Sequence, residues 1–176
     1  MKYNIGAEKE TDCGLYFQWG NTVGYDKDSA AAHSLIDTCY GYGDYTTWNT
    51  AKLTNNVLNA GRDAAYVHTN GKAKMPTQTQ IQELIDETDS VWTTIDGVRG
   101  RKFTNKTDSS KYIFIPAAVF FSDGYNSCDG LYGYVWSGSP RSSFGGGAYI
   151  LLFGGSSVYT SSRNRDSLFN VRGVLG

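Results

Sequence analysis

In the stretch MPTQTQIQELIDE, Thr77 stands three residues before Gln80, and Ile81, Leu84 and Ile85 then recur at helical spacing. Threonine and glutamine at that distance form a capping box, in which each side chain satisfies a backbone donor left open by the first helical turn. The pattern predicts a helix from about Gln78 to Glu87 with one apolar stripe. The period then changes at once. Val91-Trp92-Thr93-Thr94-Ile95, Asp96-Gly97 and the run from Val98 to Phe103 read as a β-hairpin around the dipeptide that a type I′ turn prefers. Further strands are predicted from Lys111 to Pro116, where proline stops the run, and at Gly133 to Ser137, Ala148 to Phe153 and Leu168 to Val174. Ahead of the helix, Leu15 to Gly20 reads as an aromatic strand. Tyr25 to Asn49 reads as a polar insertion holding a short helical segment at Ala30 to Ile36. Leu53 to Tyr66 reads as a short helix, with a turn at Asn70-Gly71. Helices first and strands afterwards, with no βαβ alternation, predict an α+β domain: short helices packed on a small, mostly antiparallel sheet with long irregular loops.

The chain has 176 residues, 40% of them hydrophobic, enough for one core, and is read as a single domain over residues 1–176. A formal charge of -1 and the lack of a long basic run argue against nucleic acid as a partner. Direct membrane insertion is not expected either, because no apolar run approaches the length of a bilayer span. The opening MKYNIGAEKETDCG carries no apolar signal region.

Local chemistry is sparse. His33 and His68 lack a second ligand at helical spacing, so no zinc site is predicted and both read as surface histidines. Gly145-Gly146-Gly147 lacks the lysine and hydroxyl of a phosphate loop and reads as a mobile turn. Asp123 to Gly130 gathers oxygen ligands, but not at the alternate spacing of a calcium loop. Cys13, Cys39 and Cys128 fit neither a disulfide framework nor a CxxC site, and Cys128 has no local base to make it a nucleophile. Asn105-Lys106-Thr107 matches a glycosylation sequon. No metal or cofactor is expected, and the chain is not read as an enzyme.

A compositional break is sharper than any of these motifs. Residues 1–112 hold nine Lys, four Glu, four Gln and two Met, whereas residues 113–176 hold none of the four types. Buried strands use such residues sparingly. The segments Ser139 to Gly147 and Gly154 to Ser167, however, read as exposed loops, where Lys and Glu are ordinarily common.

The segments LYFQWGNT, DAAYVHTNGKAKMPTQTQIQELI, VWTTIDGVRGRKFT, IFIPAAV, GLYGYVWSGSP, AYILLF and FNVRGVL together resemble the Bacteroidetes-type paralogous domain with a C-type lectin fold. That fold is shared by formylglycine-generating enzymes and by the variable proteins of diversity-generating retroelements. The likeness covers most of the chain outside the Tyr25 to Asn49 insertion. Leu168 stands where the family commonly has glycine, and Gly173 where it commonly has proline. The likeness also implies a further strand before Asn4-Ile5-Gly6-Ala7, so that the chain begins inside a longer protein.

The resemblance implies a function. Mutagenic reverse transcription at adenines turns asparagine codons into Ser, Tyr, Asp, Gly, Arg, Thr, His, Phe and Leu, but never into Lys, Glu, Gln, Met or Trp. Residues 113–176 are then a C-terminal variable region, and SSVYTSSRNRDSLFNVR is a diversified loop that leads into a fixed strand. The expected binding residues are Ser139, Arg141, Ser142, Phe144, Tyr149, Tyr159, Ser161, Arg163, Asn164, Asp166 and Ser167, converging on one face, with Tyr159 and Phe144 as anchors. Trp136, Ile150, Leu152, Phe169 and Val171 are expected in the scaffold, as is Arg165. The implied partner is a cell-surface protein or glycan, bound by a domain displayed on a phage virion or a bacterial surface. A non-diversified structural or adhesive domain is the alternative. A sulfatase-modifying-type oxidase fits less well, because such enzymes use a cysteine pair near the C-terminal end and Cys128 is the only cysteine after Cys39. Calcium-dependent sugar binding lacks its Glu-Pro-Asn, Gln-Pro-Asp or Trp-Asn-Asp triplet.

Overall fold

The computed structural model describes residues 1–30, 53–122, 125–127, 130–141 and 147–176. His33, Cys39, Cys128, Ser142, Phe144, most of the Ala30 to Ile36 segment, half of the Asp123 to Gly130 motif and most of Gly145 to Gly147 lie outside them. The first described strand, β1, is Tyr16–Phe17, shorter than the predicted Leu15 to Gly20. A small hairpin follows, β2 (Leu53–Thr54) and β3 (Val57–Leu58). The helix predicted from Leu53 to Tyr66 is therefore wrong over most of its length. Asn55 and Asn56 both take left-handed conformations, with φ of 52° and 58°, and that pair of conformations turns a hairpin and breaks a helix. Only α1, Ala64–His68, is α-helical, and it starts where the Asp63 carboxylate accepts from the Tyr66 N–H.

After β4 (Ala73–Lys74) comes α2, Gln78–Glu87, with the bounds and both capping-box hydrogen bonds read from the sequence. Ile81 is buried, and Leu84 and Ile85 pack beside it. The hairpin of β5 (Thr88–Ile95) and β6 (Val98–Asn105) turns at Asp96 and Gly97, with φ of 48° and 79°. It gains β7 (Tyr112–Pro116) as a third antiparallel strand. A second short hairpin, β8 (Phe120–Ser122) and β9 (Tyr125–Ser127), had no clear signal in the sequence.

Last come β10 (Tyr132–Pro140), β11 (Gly147–Gly154), β12 (Val158–Asn164), β13 (Phe169–Asn170) and β14 (Val174–Leu175). Five strands form one sheet in the order β1-β13-β10-β11-β12. All its pairings are antiparallel except that of β10 with β13. The exposed loop predicted from Gly154 to Ser167 is largely this edge strand β12. Its Ser- and Thr-rich sequence shows no hydrophobic alternation, and the pairing with β11, from Gly147↔Asn164 to Phe153↔Val158, is what extends it. The strand predicted from Leu168 to Val174 is split. The chain changes partners there, because Phe169–Asn170 pairs with β1, Val171 accepts from the Ile5 N–H, and Val174–Leu175 pairs with β4.

The core divides by sheet face. Tyr134, Trp136, Ala148, Ile150 and Leu152 pack with Phe17, Trp19, Phe169 and Val171 on one side. Val135, Leu151 and Phe153 pack with Ile81, Phe103 and Ile115 on the other, beneath α2 and the three-stranded sheet. Phe153 leaves no room for a side chain opposite it: a Cβ at Gly133 would lie 1.9 Å from the ring. Arg101 joins the two sheets, donating from Nη1 to the Gly154 carbonyl at 2.9 Å and from Nε to Ser90 Oγ at 3.0 Å. The architecture is thus α+β and mostly antiparallel.

Candidate ligand-binding surface

The five-stranded sheet ends, on the β12 side, in an edge that no other described strand covers. Along a strand, side chains alternate between faces, so the register assigns each candidate a side. Tyr159, Ser161 and Arg163 lie opposite Leu152, Ile150 and Ala148, on the Trp136 face. Tyr149 lies opposite Ser162, on the α2 face. The described candidates therefore do not share one face: the sheet runs between them.

Several of them do meet at one end of it. The Arg141 N–H donates to the Gly147 carbonyl at 3.0 Å, and Gly147 pairs with Asn164. Arg141 Nη1 reaches Ser162 Oγ at 3.4 Å. Arg163 folds its guanidinium back along its own strand, donating to Ser161 Oγ at 3.1 Å and to the Ser162 carbonyl at 2.9 Å. Arg141 and Asn164 are exposed, and Tyr149 and Arg163 half-buried. These four surround the start of β11 and the end of β12, with the Asn164 to Ser167 turn, and so Asp166, beside them. Ser162 belongs to the group and was missed in the sequence. Reading Val158 to Asn164 as a strand would have found it, as the cross-strand neighbour of Tyr149.

Tyr159, expected as an anchor, is 47% exposed but stands apart. It lies four residues along β12 from Arg163, about 13 Å at the usual rise of a strand. It shares the far end of the Trp136 face with Tyr132, which is 41% exposed.

Two expected binding residues turn inward. Ser139 is buried, and its Oγ accepts from the Gln78 N–H at 3.0 Å, satisfying a free donor at the start of α2. The β10 backbone is bulged there, between Trp136 and Pro140, which carries the hydroxyl to the helix end. Ser167 is buried in the turn that its N–H closes onto the Asn164 carbonyl. Neither is placed to touch a ligand. Phe144 and Ser142 fall outside the described residues.

Below the surface the scaffold residues are where the sequence placed them. Trp136, Ile150, Leu152, Phe169 and Val171 are buried. Arg165 is buried as well, its guanidinium 4.5 Å from the Trp19 ring centre and its Nε donating to the Gly147 carbonyl at 3.1 Å. It therefore fixes the backbone on which Arg141 and Asn164 sit. His68 is exposed, but its ring packs edge-on against Phe17 and Nε2 lies 2.8 Å from the Thr22 carbonyl. Among the described residues, no group of three or more His, Cys, Asp or Glu is placed to hold a metal, and no helix is long and apolar enough to cross a membrane.

Comparison with known proteins returns nothing: no protein-family model, curated protein or solved structure matches this chain.

Proposed function

We propose that the chain is a ligand-binding module on a C-type lectin-like scaffold, of the kind diversified by retroelements, and that it recognises a cell-surface protein or glycan. The recognition surface is the end of the sheet around Arg141, Tyr149, Arg163, Asn164 and Asp166, and it is displayed on a phage virion or a bacterial surface.

The observation that carries this reading is the residue alphabet of β12. Buried strands avoid Lys and Glu for ordinary reasons, and β10 and β11 are buried. An exposed edge strand is different: natural proteins commonly place lysine there to block pairing with another chain. Val158–Asn164 has neither Lys nor Glu, yet it carries Tyr159, Arg163 and Asn164 toward solvent or the half-buried rim. Aromatic anchors, forked arginines and adaptable serine and asparagine are the composition of a paratope. Arg141 on the Tyr149 side and Arg163 across the sheet edge suit a ligand rich in carboxylates or hydroxyls.

The test is the genomic neighbourhood of the coding sequence. A reverse transcriptase gene nearby, with a near-copy of the 3′ end differing mainly at adenines, is expected. Absence of both would replace this reading with that of a non-diversified structural or adhesive domain.

A further inference from the structure

Away from that surface, a buried cation without a counterpart adjoins a cavity. Arg172 is 6% exposed. Its Nε donates to Asn4 Oδ1 at 2.9 Å, while Nη1 and Nη2 are closed to water and have no hydrogen-bond partner among the described residues. Four of the five guanidinium N–H donors are thus unused. Burial lowers the Arg172 pKa to about 10, against a weaker opposing pull from Glu10, so the group remains charged at neutral pH. An unpaired buried charge costs several kcal/mol, which a natural fold seldom leaves uncompensated.

Arg172 also lines a cavity of about 480 Å³ whose apolar walls include Ile81, Leu84, Ile113, Ile115, Val135 and Leu151. That volume lies within the range of small-molecule sites. We propose that this cavity binds a small organic monoacid, whose carboxylate takes the Nη fork of Arg172 and whose hydrocarbon body lies against the isoleucine and leucine walls. A planar carboxylate matches the fork, accepting two parallel hydrogen bonds. The Met1 ammonium, which repels Arg172 and donates to the Gly173 carbonyl at 2.7 Å, adds to the positive charge that draws a carboxylate in. Glu83 and Glu87 at the lining repel a further anionic group. The fork opens by a side-chain shift, and Met1 is the wall suited to give way: its unbranched chain brings Sδ within 2.8 Å of where a Gly173 Cβ would stand.

Calorimetric titration of the full chain with octanoate, octanamide and octylammonium tests this. Octanoate gives saturable heat, and the amide and the ammonium give none. Arg172→Lys weakens octanoate binding by about tenfold or more, because a charged hydrogen bond contributes roughly 1.5–3 kcal/mol. Since changes at Arg172 can unfold the chain, Leu84→Trp provides the second arm: on the half-buried side of α2 it fills the cavity, leaves the circular dichroism spectrum unchanged and abolishes octanoate binding. The proposal is overturned if octanoate gives no saturable heat at millimolar concentration, or if octanamide binds equally well. It is also overturned if Glu10→Gln destabilises the chain as much as Arg172→Lys does, which would mean that Glu10 closes onto the guanidinium in solution.

Discussion

Trp136→Ala lowers the stability of the domain by about 4 kcal/mol and its Tm by about 10 °C. Trp136 is completely buried at the centre of the five-stranded sheet, with its ring 4.6 Å from that of Phe169. Its indole N–H donates to the Phe17 carbonyl at 2.8 Å, tying β10 to the first strand across the intervening β13. Alanine leaves both a cavity and a buried carbonyl without its donor, and the two costs add. Trp136→Phe keeps much of the volume and loses only the hydrogen bond and part of the packing, so it costs about half as much. Urea unfolding of the three proteins measures the difference. An alanine variant within about 1 kcal/mol of the parent would show that the sheet is not organised around this residue.

Two arginines separated by one residue, Arg163 and Arg165, are expected to respond in opposite ways. Arg165→Met loses the contact with Trp19 and the charged hydrogen bond to Gly147, and the domain is destabilised by about 3 kcal/mol. Arg163→Ala removes a half-buried guanidinium that, among the described residues, bonds within its own strand, and stability changes by less than about 1 kcal/mol. Binding to the cognate surface behaves in reverse. Arg163→Ala weakens it by about tenfold or more, as for an interface arginine, whereas Arg165→Met protein that remains folded retains affinity. Denaturation midpoints and surface-binding isotherms for both variants decide the matter. Equal loss of stability would remove the distinction between scaffold and binding arginine.

The parts of this fold that the sequence announced are those set by local chemistry. The Thr77 and Gln80 cap, the Asp96-Gly97 turn and the strands with Val, Ile and Phe at alternate positions each involve a few adjacent residues, and each is found as predicted. The failures come from pairing at a distance. Val158 to Asn164 has no apolar alternation to mark it, and becomes a strand because β11 offers seven residues of partner. Leu168 to Val174 is apolar enough for one strand, but passes between Phe121, β1, β10, Ile5 and β4 as partners. The Asn55-Asn56 turn is the exception, a local signal overlooked because the apolar spacing around it also suits a helix. The candidate surface follows the same rule. The scaffold role that the family resemblance implied for Arg165 agrees with its burial against Trp19, whereas Arg163 lies half-buried at the sheet edge. The inward turn of Ser139 was not legible, because it depends on a bulge that brings a hydroxyl to the start of a helix sixty-one residues away in sequence.

The most direct test of the account is to sequence this locus from sibling genomes and compare the translated chains position by position. The account predicts substitutions concentrated at Arg141, Tyr149, Tyr159, Ser161, Arg163, Asn164 and Asp166, drawn from the residues reachable from asparagine codons. Trp136, Phe153, Arg165 and Phe169, and the buried Ser139 and Ser167, should stay fixed. Substitutions spread evenly over all 176 residues, or introducing Lys and Glu along β12 as freely as elsewhere, would contradict it.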